Sequence, residues 1–292
     1  MSFTLLESVA AARAHCAERR GAGVTLGFVP TMGALHEGHL ALVRRAAAEC
    51  DEVVVSVFVN PLQFNDPGDL ERYPRDLQGD AAQVRAAGAT MLFTGTLAGF
   101  FPDELGPDGV LPPEAHVAPG PCALGLEGTH RPGHFEGVAT IVDRLFDVVT
   151  PARAYFGAKD YQQCLVVQEL ARRRGAPDVV VCPTVREGDG LALSSRNQLL
   201  SADERERAPA LASGLFAARE LFRSGVREPG QLVAPIEAAV EAAGFELEYA
   251  AVRDPGQWTA EEPQAPLERA VALVAARAGA VRLIDNLDLG EG

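Results

Sequence analysis

The sequence is short of positive charge. Lys and Arg number 26 against 40 Asp and Glu, leaving a formal net charge of −14. Such a chain lacks the basic surface that sequence-independent nucleic-acid binding and anionic-membrane binding require. A small anionic substrate stays compatible if a few cations gather locally. No apolar run is long enough to span a bilayer. Met1 to Arg20 reads as a charged amphipathic helix, without the apolar core of a signal peptide. Cysteine is sparse: Cys16, Cys50, Cys122, Cys164 and Cys182 are scattered, odd in number and without a C-x-x-C pair. They read as reduced thiols of a cytoplasmic protein, not as a disulfide framework or a zinc site. Internal repeats and low-complexity tracts are missing too. What remains, 47% hydrophobic and 23% charged over 292 residues, suits a globular chain of one large or two modest domains.

One stretch organises the rest: Pro30-Thr31-Met32-Gly33-Ala34-Leu35-His36-Glu37-Gly38-His39. An apolar run from Val24 to Val29 precedes it and reads as a buried strand; Leu40–Glu49 follows and reads as a helix. A strand-to-helix turn of this kind lies at the carboxyl edge of a parallel sheet, where ligands bind. Gly33 and Gly38 let a phosphate approach the backbone, and free N–H groups at the helix start favour an anion. His36 and His39, three apart, share one side of the first turn. Two imidazole donors there suit a polyphosphate whose charge grows in the transition state. Metal ligation and plain surface histidines are the competing readings, although zinc-protease helices space their histidines by four.

Further along, Phe3, Leu5, Leu6, Val9, Ala10 and Ala14 are spaced for a helix from Ser2 to Arg20. Glu52–Val59 is a second strand, buried on both faces and stopped by Pro61. In the loop after it, Gln63 suits hydroxyls, and equally a loop amide bonded to backbone. Leu77–Ala87 reads as a helix and Thr90–Thr94 as a strand. From Gly95 to Thr129 the chain is rich in Pro and Gly, either a functional loop or a wrapped surface excursion. A helix opens at Arg131-Pro132-Gly133-His134 and runs to Val149; Arg131 and His134 add donors near its start, or pair with surface carboxylates. Arg153–Phe156 is a strand leading into Gly157-Ala158-Lys159-Asp160 and the helix Tyr161–Arg174, which repeats the strand–glycine–helix logic of the first loop. Lys159 could place a point charge on a phosphate or sit solvated; Gln163 lies on the first turn of that helix. After the strand Asp178–Cys182, a linker carries Ser194, Ser195 and Arg196, which offer phosphate chemistry or a helix cap. Helices over Asp203–Phe222 and Leu232–Ala243 and strands over Glu246–Val252, Ala270–Ala276 and Val281–Asp285 predict a small α+β unit, with a frayed tail from Leu287 to Gly292.

In order and separation, Pro30–His39, Phe58–Phe64, Tyr73-Pro74-Arg75, Arg131–Gly137, Phe156–Gln163 and Thr184–Asn197 closely resemble the pantoate–β-alanine ligase (pantothenate synthetase) family of the H-x-G-H nucleotidylyltransferase superfamily. The resemblance runs from Val24 to about Leu200; beyond it only the helix-then-strand layout fits. It implies an α/β fold: a Rossmann-like parallel-sheet domain over residues 1–183 that binds nucleotide and pantoate, then a smaller α+β domain over 184–292 that closes as a lid and keeps water from an acyl adenylate. It implies two steps at one site. ATP and pantoate give pantoyl adenylate and pyrophosphate, and β-alanine then displaces AMP to give pantothenate. Carried over by position, Met32, Gly33, Ala34, Leu35, His36, Glu37, Gly38 and His39 would hold ATP, with His39 as proton donor. Gly157, Ala158, Lys159, Asp160, Val185, Leu193, Ser194, Ser195 and Arg196 would complete that site. His36, His39, Lys159 and Arg196 would be catalytic, Gln63 and Gln163 would bind pantoate, and Gln63 would also lie near β-alanine. Asp80 and Gln83 would lie near Mg²⁺, although Gly79 stands where some members carry an acidic residue. Leu193 stands where some members have methionine. The partners implied are these small molecules and a second copy of the chain in a homodimer, with no nucleic acid and no membrane. A nucleotidylyltransferase, a non-catalytic nucleotide sensor and a class I tRNA ligase are the rivals. The contexts of Gln63 and Gln163, the complete His36–His39–Lys159–Arg196 set, and the acidic charge disfavour them in turn.

Overall fold

The computed structural model describes residues 3–65 and 67–290. The start of the helix expected from Ser2, and Glu291 and Gly292 of the expected tail, lie outside these. Two compact units form. The first takes residues up to Ala123, Arg131–Gly157 and Gln162–Cys182; the second takes Leu124–His130, Ala158–Tyr161 and Pro183–Gly292. Two short segments that precede Pro183 thus belong, by their packing, to the second unit. Among the described residues no helix is long and apolar enough to cross a membrane.

In chain order, the elements up to Cys182 are β1 (Thr4–Leu6), α1 (Val9–Gly21), β2 (Leu26–Thr31), α2 (Glu37–Glu49), β3 (Glu52–Val57), α3 (Pro67–Arg72), α4 (Leu77–Ala86), β4 (Met91–Phe93), α5 (Leu97–Phe100), α6 (Glu127–His130), α7 (His134–Val149), β5 (Arg153–Gly157), α8 (Tyr161–Arg174) and β6 (Asp178–Cys182). All six strands are parallel, in the order β1-β4-β3-β2-β5-β6. Strand side chains alternate between two helical layers. Phe28, Val54, Phe93 and Phe156 meet α1, α7 and α8 on one face. Val29, Val55, Leu92 and Tyr155 meet α2 and α4 on the other. Burial on both faces is why these strands are nearly continuous in Val, Leu and Phe.

The N-terminal segment corrects the expected helix. Phe3, Leu5 and Leu6 belong to an extended segment, with Phe3 and Leu5 against one core layer and Leu6 against the other. The helix begins only after Ser8, whose hydroxyl accepts from the Ala11 N–H at 3.4 Å. The Pro/Gly-rich stretch is not wholly irregular: it holds α5, α6 and 3₁₀ turns at Pro113–Ala115 and Pro121–Ala123.

From Pro183 on come α9 (Ala202–Arg207), α10 (Ala210–Arg223), α11 (Pro229–Ala242), β7 (Glu246–Arg253), β8 (Val271–Ala278) and β9 (Val281–Asp288). The strands form an antiparallel meander, β7-β8-β9. Its core includes Leu211, Leu215, Phe222, Leu232, Ile236, Val252, Val274 and Leu283. At Gly214 a Cβ would lie 2.8 Å from the Ile236 Cα, so glycine sets how closely α10 and α11 approach. The single helix expected over Asp203–Phe222 is two, because Pro209 has no N–H to continue the first. The tail expected to fray from Leu287 instead completes β9, and Leu289 is fully buried.

Candidate active site

β2 and β5 are neighbours at the point where the strand order reverses, which is where open α/β sheets form ligand crevices. Their pairing stops at Phe28–Ala154, three residues short of both strand ends. The loop that leaves β2 is the Met32–His39 stretch. Gly33 has φ +86°, and a Cβ there would meet Asp80 Oδ2 at 2.9 Å and Val57 Cγ1 at 3.0 Å, so only glycine fits. Ala34 follows at φ +52°, in the left-handed region. Asp80, 2% exposed on α4, fastens this turn: its carboxylate accepts from the N–H of Ala34 at 3.2 Å and of Leu35 at 3.0 Å. Burial pushes the Asp80 carboxyl above its ordinary range, and those two N–H groups pull part of the way back. Gln83, one turn on, is exposed. Gly79 lies beneath the α4 cap: Asp76 accepts from its N–H at 2.9 Å, and a Cβ at 79 would run into that carboxylate.

His36 caps α2, its Nδ1 accepting from the Gly38 N–H at 3.2 Å. The His39 Nδ1 accepts from the His36 N–H at 3.3 Å. The rings lie 4.1 Å apart between centroids. An Nδ1 that accepts carries no proton, so this network assigns the ring proton of both residues to Nε2. The pair therefore carries two Nε2–H groups at a helix N-terminus, where backbone N–H groups already favour an anion.

Gln63 closes a 3₁₀ turn after β3. Asn60, 1% exposed, donates through its amide to Gln63 Oε1 at 2.9 Å and to the Gly137 carbonyl at 3.1 Å. The Asn60 bond engages the Gln63 oxygen and so fixes which way round that amide lies. His134, expected near the surface, is 5% exposed, and its Nδ1 lies 3.0 Å from the Gln63 carbonyl. At Gly137 a Cβ would sit 2.2 Å from the Leu62 carbonyl oxygen, so α7 packs directly on this turn. Sequence reading missed Asn60; the signal was an Asn before the proline that ends a strand, a combination that starts turns. Gln163 is half-buried, while its neighbour Gln162 is buried and donates to the Cys122 carbonyl at 2.9 Å.

In the second unit, Lys159 is 18% exposed at its side chain, with the Asp160 carboxylate 3.6 Å away. Val185 and Leu193 face each other across a short hairpin, with Leu193 N–H donating to the Val185 carbonyl at 3.0 Å and Arg186 bridged to Ala192. The Ser194 hydroxyl caps the following 3₁₀ turn, accepting from the Arg196 N–H at 3.3 Å. Val185 and Leu193–Arg196 are all half-buried. Residues 158–160, 185 and 193–196 thus lie in one unit, and residues 32–39, 63, 80, 83, 157 and 163 in the other.

The family model for pantoate–β-alanine ligase matches residues 4–288. A pantothenate synthetase of Cereibacter sphaeroides is 48% identical over 288 residues, covering 97% of this chain and 98% of the relative. The crystal structure of pantothenate synthetase from Thermus thermophilus superposes with a TM-score of 0.85 at 44% identity, covering 98% of this chain and 99% of that one. The pantoate–β-alanine ligase of Francisella tularensis, solved with β-γ ATP and β-alanine, gives a TM-score of 0.77 at 31% identity over 100% of this chain and 99% of that one.

Proposed function

This chain belongs to the pantoate–β-alanine ligase family, and from that premise we propose how its residues divide the work of joining pantoate to β-alanine with ATP. A carboxylate is a weak nucleophile, so its attack on the α-phosphate needs alignment and neutralised charge. His36 and His39 supply Nε2–H donors to the phosphates, and His39 follows the charge that develops on them. The turn Met32–Leu35, with Glu37 and Gly38, cradles ATP through backbone N–H groups. Gly157–Asp160, Val185 and Leu193–Arg196 complete the nucleotide contacts, with Lys159 and Arg196 as the cations. Gln63 and Gln163 meet the pantoate hydroxyls, and Gln63 also meets β-alanine. Pantoyl adenylate forms with release of pyrophosphate; the β-alanine amine then attacks the acyl carbon and AMP leaves. The observation that carries this reading is the His36–His39 pair, both Nδ1 atoms turned to backbone donors.

Magnesium fits the residues present in a limited way. It is bound through one or two carboxylates and substrate phosphates, without a protein cage. No group of three His, Cys, Asp or Glu side chains stands ready for a metal among the described residues. Asp80, buried with both oxygens taken by the Ala34 and Leu35 N–H groups, would act on the ion through its charge and not as a direct ligand, which leaves the exposed Gln83 on α4 as the nearer donor. When bound, the ion would neutralise phosphate charge. The same family reading makes the protein a cytoplasmic homodimer, which sedimentation of the purified chain tests.

The order of chemistry is testable. The enzyme should exchange labelled pyrophosphate into ATP with pantoate present and β-alanine absent. Oxygen-18 in the pantoate carboxylate should appear in AMP after full turnover, because one carboxylate oxygen bridges to phosphorus in the adenylate. An acyl-phosphate route would give ADP, and a nucleotidylyltransferase would release no free nucleotide. Unlabelled AMP would equally reject the adenylate.

A further inference from the structure

The two loops of the second unit assigned to ATP are fastened to one step of one strand. The Asn286 amide, on β9, donates to the carbonyl oxygens of Ala158 at 2.9 Å and Lys159 at 2.7 Å. Its neighbour Asp285, 4% exposed, takes two parallel bonds from the Arg186 guanidinium, at 2.6 and 2.9 Å. Arg186 also donates to the Asn286 carbonyl at 3.0 Å and the Gly190 carbonyl at 3.1 Å, which braces the hairpin that leads to Leu193–Arg196. Successive residues of a strand point to opposite faces. Asp285 and Asn286 therefore reach different segments from adjacent positions.

The chemistry at residue 286 is selective. Two carbonyl oxygens need two donors from one side. A buried Lys or Arg would supply them, but with a positive charge beside Lys159. A carboxylate would face the carbonyls with no donor. The neutral NH₂ of Asn gives both bonds and leaves the Lys159 ammonium as the local cation. At 7% exposure, Asn286 competes with little water for these carbonyls.

We propose that Asn286 is a positioning residue for Lys159. By holding the carbonyls on either side of the Lys159 Cα it fixes the direction in which that side chain leaves the loop, while Asp285, through Arg186, fixes the hairpin that leads to Arg196. The inference rests on the assignment of Lys159 to the ATP phosphates.

The test is a double-mutant cycle read by ATP–pyrophosphate exchange with pantoate and without β-alanine. Lys159→Ala should lower kcat for exchange roughly 10²-fold, the scale of a lost transition-state donor. Asn286→Ala should lower kcat about tenfold, the scale of a hydrogen bond, with KM for pantoate unchanged. The double variant should be no slower than Lys159→Ala alone, because nothing is left to position. Asn286→Asp, equal in shape but without donors, should be at least as slow as Asn286→Ala. Multiplicative losses in the double variant, or normal exchange in Asn286→Ala, would overturn the proposal and leave the role of Lys159 standing. Normal exchange in Lys159→Ala would overturn that role and this proposal with it. Should Asn286→Ala fail to fold, Asn286→Ser, which keeps one donor, enters the same cycle with the same criteria.

Discussion

Asp80 holds Leu35 by its main chain: the carboxylate on α4 takes the Leu35 N–H at 3.0 Å, across 45 residues of sequence. The bond, with its partner at Ala34, keeps a non-glycine residue at φ +52° in the turn proposed to bind the ATP phosphates. Left-handed backbone costs such a residue roughly 1–2 kcal/mol. Asp80→Ala would leave two donors without their acceptor, at about 1–3 kcal/mol each where they are buried. The variant should unfold at lower urea and lose pyrophosphate exchange. Unchanged stability would mean that the turn holds itself.

The same carboxyl gives a pH signature. Burial raises its pKa above the ordinary value of about 3.9. The folded chain then binds this proton more tightly than the unfolded chain. Its contribution is fully present below the unfolded value and is lost as pH rises through the folded one. In urea titrations across weakly acidic pH, wild type should lose stability relative to Asp80→Asn as pH rises, then level off. A gain instead would show that the N–H bonds outweigh burial.

His36 and His39 can be separated. His36 caps α2, a role that Asn fills as well. His36→Asn should keep the melting temperature of wild type, while exchange falls with the loss of the Nε2–H donor. His39→Ala should cut exchange by about 10²-fold or more. A His36→Asn enzyme with full activity would reduce His36 to a cap.

The Asn60–Gln63 bond fixes which end of the Gln63 amide is left for pantoate in the proposed role of that residue. Asn60→Ala frees that amide to rotate, so KM for pantoate should rise by about tenfold, the scale of one hydrogen bond, with KM for ATP near its starting value. Gln63→Glu keeps the acceptor for Asn60 but turns a carboxylate toward an anionic substrate, and should be worse than Gln63→Ala. Calorimetric titration of ATP and pantoate checks both; equal losses for the two ligands would make the turn merely structural.

The sequence showed best what depends on local pattern. β2, β3 and β6 stood out as apolar runs, and α8 matches its expected span. β1 did not, because Phe3, Leu5, Leu6 and Val9 satisfy a helical spacing as readily as a short strand followed by a cap at Ser8. Pro209 was a visible breaker that the surrounding helix formers masked. The site divides in the same way. The His36–His39 turn announces itself by spacing, whereas Asp80 as a clamp and Asn286 act on groups that only folding brings near, and Asn60 joins its near neighbour Gln63 to the distant Gly137. Asn286 lies 127 residues from Lys159, and nothing around either one encodes the other.

The pairing of β1 with β4 also sets a timetable for assembly. Thr4 lies opposite Met91, and no nearer strand in the sequence is its neighbour in the sheet. At about 5–20 residues added per second, a nascent chain waits roughly 4–17 s between making these two residues. During that interval Leu5 and Leu6 have no sheet to join, while β2, α2 and β3 can already close on one another. The sheet should therefore gain its β1 edge late. In translation-arrested nascent chains that end before β4, the amides of β2 and β3 should be protected from hydrogen exchange while those of Leu5 and Leu6 are not.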